Sequence, residues 1–179
     1  MNDLSLHILD IVQNSITAGA NLIGIDVIEN IPENTLTIRI SDNGKGMSPE
    51  QVANVTDPYF TSRTTRKVGL GIPLFKQNAE MSGGRFSIES ELGKGTIVTA
   101  IFGHNHLDRP PLGDIANAVV LLVSSNPAID FVYTYGFNEK TYIFDTKEVK
   151  EALGEMPINM PQVIRMLTEM IQENCDDLI

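Results

Sequence analysis

The stretch LDIVQNSITAGA, residues 9–20, decides how this sequence is interpreted. It is mostly apolar, and its apolar residues recur at the spacing of a helix that packs on a core. The same stretch carries a carboxylate, Asp10, and a carboxamide, Asn14, four residues apart. On a helix that spacing places both side chains on one face. The sequence therefore predicts an amphipathic helix over residues 3–18 that presents a polar pair.

The residues that follow predict a mixture of strands and helices. Alternating or β-branched runs predict strands, whereas apolar residues at helical spacing behind a capping residue predict helices. Strands are expected at 22–28, 35–40, 85–90 and 96–102, and helices at 48–55 and 72–81. This element order indicates an α/β fold, a mixed sheet with helices over one face.

Composition and charge limit the classes of partner. The chain has 179 residues, of which 42% are hydrophobic, and a formal net charge of −10. That charge argues against nucleic acid and against anionic membrane surfaces, because both require clustered Lys and Arg. The single cysteine, Cys175, excludes a disulfide framework and fits a reducing compartment. With no signal-peptide pattern and no apolar run long enough to span a bilayer, we expect a cytoplasmic protein.

The character of the sequence changes after Phe102. The segment GHNHLDRPPLGD predicts a linker, and its two histidines with Asp108 are too few ligands to favour a metal site. Beyond it we expect a helix at 112–124, a hairpin turning at 137–139 and two closing helices. We therefore divide the chain into a domain at 1–104 and a small α+β appendage at 105–179.

Three loops that contain glycine follow the opening helix. They are DNGKGM at 42–47, VGLG at 68–71 and GKGT at 93–96. The second follows the tightest basic cluster of the sequence, Arg63, Arg66 and Lys67. Each loop alone is common in turns, but their order and spacing together are far more specific.

These motifs together resemble the ATPase superfamily shared by DNA gyrase, a heat-shock chaperone family, histidine kinases and MutL mismatch-repair proteins. LDIVQNSITAGANLIGIDV resembles the first motif and DNGKGM the second, while DPYFTSR, VGLGIP and GKGT resemble the aromatic box, glycine-rich lid and final motif as histidine kinases arrange them. The resemblance covers about residues 1–102. It implies a two-layer α/β sandwich of the Bergerat type, with Mg-ATP between the helices and the lid.

The resemblance assigns roles at the adenine end and at the metal. It makes Asn14 the protein ligand of Mg²⁺, an ion that accepts neutral oxygen donors and keeps several waters. It makes Asp42 the acceptor for the exocyclic amine of adenine, which should favour ATP over GTP. Gly44 and Gly46 would let the backbone approach the base. Thr96 would add a hydroxyl to the adenine network, or alternatively only begin a strand.

The loop that precedes the helix at 72–81 is the predicted phosphate site. Gly69 and Gly71 lie at the start of this helix, where backbone N–H groups attract anions. Arg63, Arg66 and Lys67 are phosphate contacts or lid residues in this interpretation; the alternative is a solvated loop.

Asp10 is the predicted catalytic residue. In superfamily members that hydrolyse ATP or phosphorylate serine, the resemblance places an acid here, usually Glu, as general base. A positioned base assists attack by water or a hydroxyl, whereas a neutral imidazole needs less help. Asp is one methylene shorter than Glu. It would act directly, through a second water, or only by orienting the Mg²⁺ shell.

The function that the sequence favours is phosphoryl transfer from Mg-ATP to a partner protein. The chain would act as a histidine-kinase-like catalytic module without its own phosphoacceptor, because His7 lies inside the ATP-site helix. A slow ATPase switch and a noncatalytic ATP sensor or adaptor are the alternatives. Since ATPases of this superfamily often work as dimers, a homodimer is also considered.

Overall fold

The structure, a computed structural model, describes residues 3–57 and 71–179. The helices within these ranges are α1 (Leu4–Thr17), α2 (Pro49–Val55), α3 (Gly71–Met81), α4 (Ile115–Ser125), α5 (Thr146–Leu153) and α6 (Pro161–Asp176). The strands are β1 (Leu22–Asn30), β2 (Thr35–Asp42), β3 (Arg85–Glu91), β4 (Gly95–Gly103), β5 (Asp130–Phe137) and β6 (Lys140–Asp145). None of the helices described is long and apolar enough to cross a membrane.

The strands described form one mixed sheet in the order β3-β4-β2-β1-β5-β6. Neighbours run antiparallel except β1 and β5, which are parallel with Leu22 opposite Asp130. The strands after residue 104 thus extend the sheet formed by the earlier ones. The division at residue 104 stays a prediction, but its two sides share one sheet.

One face of this sheet carries the core. Alternate residues of the strands point toward helices α1, α3, α4 and α6, as the side-chain period of two requires. The inward residues of the four central strands are Ile23, Ile25 and Val27, Leu36, Ile38 and Ile40, Val98, Ala100 and Phe102, and Phe131, Tyr133 and Tyr135. The two-layer α/β arrangement with a mixed sheet is therefore confirmed.

Local signals set most helix ends. Ser48 and Gln51 form a reciprocal capping box at the start of α2, and Gly19 follows α1 with φ +79°. The helix predicted at 112–124 begins later, at Ile115, because the Asp114 carboxylate accepts a hydrogen bond from the Asn117 N–H.

The segment before α4 also forms hydrogen bonds with the start of α1. The carbonyls of Pro111 and Leu112 accept hydrogen bonds of 2.9 Å each from the N–H groups of Leu4 and Ser5. These donors have no partner within α1, because the first N–H groups of a helix lack an upstream carbonyl. Residues 111–112 therefore hold the start of the helix that carries Asp10 and Asn14.

Candidate functional site

A cavity of about 180 Å³ lies between α1 and the adjacent ends of β2 and β4. Four predicted site residues line it: Asn14, Asp42, Gly46 and Thr96. Its apolar lining consists of Ile11, Met47, Val55, Ile72 and Val98, together with Ala18. A mostly apolar cavity with a few convergent polar groups is the usual form of a small-molecule site.

Asp42 lies at the end of β2, and its carboxylate is held from two sides. Oδ2 accepts a hydrogen bond of 2.6 Å from the Ser15 hydroxyl, and Oδ1 accepts one of 2.9 Å from the Gly44 N–H. Both donors fix the orientation of a group that can still accept further hydrogen bonds. No role is predicted for Ser15 from the sequence, although it directly follows Asn14 on α1.

Thr96 is held by a second hydroxyl, that of Ser90 on β3. The two side-chain oxygens are 2.8 Å apart. Ser90 Oγ also accepts a 2.8 Å hydrogen bond from the Met47 N–H and donates to the Gly95 carbonyl at 3.0 Å. Ser90 thus joins the loop after β2 to the start of β4, and the sequence analysis did not identify it.

The glycines of DNGKGM are required by the packing of their own loop. Gly46 has φ +69°, and a Cβ built there would collide with the Glu91 carbonyl. A Cβ on Gly44 would lie 2.8 Å from the Ala18 Cβ. At both glycines the backbone therefore lies close to other parts of the protein. The prediction that they also let the backbone approach a base stays a prediction.

Asp10 lies one helical turn before Asn14, at the place where α1 meets the start of α3. A Cβ built on the buried Gly71 would collide with its carboxylate, so the backbone of Gly71 lies directly against Asp10. Desolvation raises the pKa of Asp10 above its usual value. The carboxylate lines a shallow depression with Leu6, Leu9 and Gln13 rather than the cavity that contains Asn14.

His7 is a core residue. It is fully buried against the Phe75 ring, with 5.3 Å between the ring centroids, and Asn78 Nδ2 lies 2.8 Å from its Nε2. Burial lowers its pKa to about 4, so the ring is neutral at pH 7. Nδ1, the other ring nitrogen, is buried and has no hydrogen-bond partner within the residues that the structure describes.

The HNHLD segment forms hydrogen bonds instead of a metal site. His104 Nε2 lies 2.8 Å from Glu29 Oε1, and His106 Nδ1 accepts from the Asp108 N–H at 3.0 Å. Tyr135 also hydrogen-bonds Glu29. Across residues 3–57 and 71–179 no group of three or more His, Cys, Asp or Glu side chains could hold a metal ion.

Part of the predicted phosphate site lies outside the residues that the structure describes. Arg63, Arg66, Lys67 and Gly69 all fall between residues 58 and 70. Their predicted contacts with phosphate stay predictions. Gly71, the last member of that set, is described and begins α3.

Comparison with known proteins identifies the family. The model of the "Histidine kinase-, DNA gyrase B-, and HSP90-like ATPase" family matches residues 2–105. A putative sensor protein of Shewanella frigidimarina is 33% identical over 97 residues, which are 53% of this chain and 15% of that protein. A putative sensor histidine kinase of Rickettsia typhi, NtrY-like, is 29% identical over 102 residues, or 57% and 17% of the two chains.

A solved structure shares the fold well beyond the matched residues. The crystal structure of the N-terminal domain of a DNA repair protein aligns with 87% of this chain and 58% of its own, with a TM-score of 0.59 and 19% identity. The structural match therefore extends past residue 105, into the part that carries β5 and β6. The sequence matches, in contrast, span less than a fifth of either relative's length.

Proposed function

Because the chain belongs to the histidine kinase-, DNA gyrase B- and HSP90-like ATPase family, we propose that it binds Mg-ATP and transfers the terminal phosphoryl group to a partner protein. The observation that carries this proposal is the convergence of Asn14, Asp42 and Thr96 on one cavity. The partner would supply the phosphoacceptor, since His7 is buried in the core.

The cavity suits an adenine base at the end near β2. The Asp42 carboxylate, oriented by Ser15 and Gly44, would accept a hydrogen bond from the exocyclic amine. Guanine carries a carbonyl at that ring position, whose oxygen would repel the carboxylate. A pair of unmatched acceptors in a buried site is costly, so the site should select ATP over GTP.

Asn14 supports the metal assignment by its chemistry. It lies half-buried on the cavity wall and offers a neutral amide oxygen, a donor that fits an ion taking few protein ligands together with water and phosphate oxygens. Mg²⁺ bound there would neutralise phosphate charge as it develops.

Asp10 supports the transfer step. Its raised pKa makes the carboxylate a stronger base than an exposed aspartate. In the proposal it accepts the proton of an attacking hydroxyl, directly or through one water. The same property favours a second candidate function, a slow ATPase switch in which water is the nucleophile.

The experiment that tests these proposals uses ATP with a radioactive terminal phosphate and follows where the label goes. One mixture contains the pure chain with Mg²⁺, and a second mixture also contains cell extract. Label on a partner protein supports the kinase proposal, and label released as free phosphate by the pure chain supports the switch. ATP that binds and stays intact in both mixtures would overturn both and favour the sensor or adaptor.

Asp10→Asn separates binding from chemistry. We expect it to keep ATP affinity and to lose at least about a hundredfold of the turnover, the usual contribution of a general base. Glu33→Gln makes the same carboxylate-to-amide change at an exposed turn and serves as the matched control. Equal turnover in the two variants would remove Asp10 from the mechanism.

A further inference from the structure

A second concave feature lies on the sheet face opposite the core. One row of side chains crosses the sheet there, from edge to edge, through the pairs Glu89–Ile97, Ile97–Ser41, Ser41–Gly24, Gly24–Val132 and Val132–Asp145. We call this row, with the space above it, the sheet groove. The concave part of this groove extends from Glu89 to Val132. Its volume is about 640 Å³, larger than that of the cavity beside α1.

Small residues form the floor of the sheet groove. Gly24 has no side chain, and a Cβ there would lie 2.6 Å from Ser41 Oγ. Ile97 and Val132 rise on either side and are separated by three strand spacings, about 14 Å. A trough of this width admits one extended polypeptide with its side chains. Ile97 is 37% exposed, so an apolar wall faces solvent.

Acidic side chains dominate the rim. Glu89 is exposed and has no ion-pair partner within residues 3–57 and 71–179. Asp145, at the other end of the row, caps the start of α5, where its carboxylate accepts a hydrogen bond from the Lys147 N–H. The lysine that lines the groove is already engaged. Lys94 lies 3.9 Å from Glu91.

An ion pair lies in the next row of side chains on the same face, two residues away along β1 and β2. Arg39 lies 3.9 Å from Asp26, and the two residues are opposite each other on β2 and β1. This pair bounds the groove on the side away from the Asp42 end of the strands. The groove therefore combines an apolar trough with a carboxylate at one end, Glu89, that has no ion-pair partner in the described part of the chain.

We infer that the sheet groove is a docking surface for a partner polypeptide segment that presents basic side chains next to an apolar one. The apolar side chain would lie between Ile97 and Val132, over Gly24. An Arg or Lys residue beside it would lay its aliphatic stem along the wall and direct its charge to Glu89. The net charge of −10 would steer such a segment toward the protein.

The test uses fluorescence anisotropy with a short peptide of alternating arginine and leucine and with its glutamate–leucine counterpart. We expect only the basic peptide to bind. Ile97→Lys should weaken that binding by about tenfold, as expected for the centre of an interface, and Glu89→Lys by severalfold. Both positions are exposed, so neither substitution disturbs the core.

Glu33→Lys is the matched control, because it reverses the same charge at the exposed turn between β1 and β2. Amide chemical shifts should change at Gly24, Ser41 and Val132 when the basic peptide is added. The inference is overturned if the basic peptide fails to bind, if all three variants bind it equally, or if the shifts change elsewhere. ATP affinity, measured in parallel, shows whether a variant also disturbs the adjacent cavity, which shares Asp42 and Thr96 with the groove.

Discussion

At the scale of single residues, two serine hydroxyls hold the polar groups that face the cavity. Ser15 orients Asp42, and Ser90 orients Thr96 while it also accepts from the Met47 N–H. Side chains that are already held in position lose little conformational entropy when a ligand binds. A site preorganised in this way therefore gains affinity without additional contacts.

Ser90→Ala tests this arrangement. The variant leaves the Met47 N–H and the Thr96 hydroxyl without their partner, which costs about 1 kcal/mol or more for each buried polar group. We expect ATP affinity to fall by about fivefold or more, measured by isothermal titration calorimetry. Ser87→Ala, at an exposed position of the same strand, is the control and should bind ATP like the unmodified protein.

His7 predicts a specific loss of stability in acid. The unfolded residue titrates near pH 6.5 and the folded one near 4, so between these values the unfolded chain binds the additional proton. The stability associated with the neutral ring is present above pH 6.5 and is lost as the pH falls toward 4, by at most about 3 kcal/mol. His7→Gln, whose amide can still accept from Asn78, should flatten this part of the curve in urea unfolding at several pH values.

The unmodified protein, measured in parallel, provides the comparison. A His7→Gln protein that loses stability between pH 6.5 and 4 as steeply as the original would show that another group titrates there.

We predict that Asp10, the proposed general base, lowers the stability of the fold at neutral pH. Its raised folded pKa means that ionisation disfavours the folded state as the pH rises through the unfolded value. Asp10→Asn should therefore have a higher Tm at pH 7, and the difference should disappear in acid. A lower Tm at pH 7 would indicate that the carboxylate stabilises the fold.

At the scale of elements, the DNGKGM loop depends on backbone geometry. Gly46 combines a positive φ with contact against the Glu91 carbonyl, whereas Gly93 has φ +82° and no atom within 4 Å of a built Cβ. Gly93→Ala should cost about 1 kcal/mol from strain alone, and Gly46→Ala clearly more. Urea unfolding measures the free energy of unfolding of both variants. Equal losses in the two variants would contradict the contact between Gly46 and the Glu91 carbonyl.

The elements themselves follow from local sequence, but their partners do not. The strand TLTIRI alternates and the Ser48–Gln51 box is local, so β2 and α2 could be predicted. The pattern of β1 indicates which residues are buried, yet it does not indicate that β5 lies along its second edge, more than a hundred residues later. Helix α4 begins at Ile115 rather than at the predicted residue 112, because Asp114 caps it.

The same limit applies to the candidate site. Asn14, Asp42, Gly46 and Thr96 belong to motifs whose order is visible in the sequence, and they converge on one cavity. Ser15 contacts Asp42, which is distant along the chain, and Ser90 contacts the distant Met47 as well as Gly95 and Thr96 of its own hairpin. Nothing in the local sequence distinguishes these two serines from others. Their identification requires the sheet register and the packing of α1.

At the scale of the whole molecule, the parallel pairing of β1 with β5 makes the two parts of the chain interdependent. A fragment of residues 1–104 would leave β1 as an edge strand with unpaired N–H and C=O groups. We expect this fragment to self-associate or to lose structure, measured by light scattering after gel filtration and by circular dichroism. A monomeric, folded fragment would instead support the domain division at residue 104.

The same pairing has a consequence for synthesis on the ribosome. Strands β1, β2, β3 and β4 emerge early and can pair among themselves, but the second edge of β1 stays unpaired until the residues of β5 leave the exit tunnel. Closing so long a loop is entropically costly and therefore slow. During translation the nascent chain thus passes through an interval in which an aggregation-prone edge is exposed, and a chaperone that recognises extended backbone would act on it there.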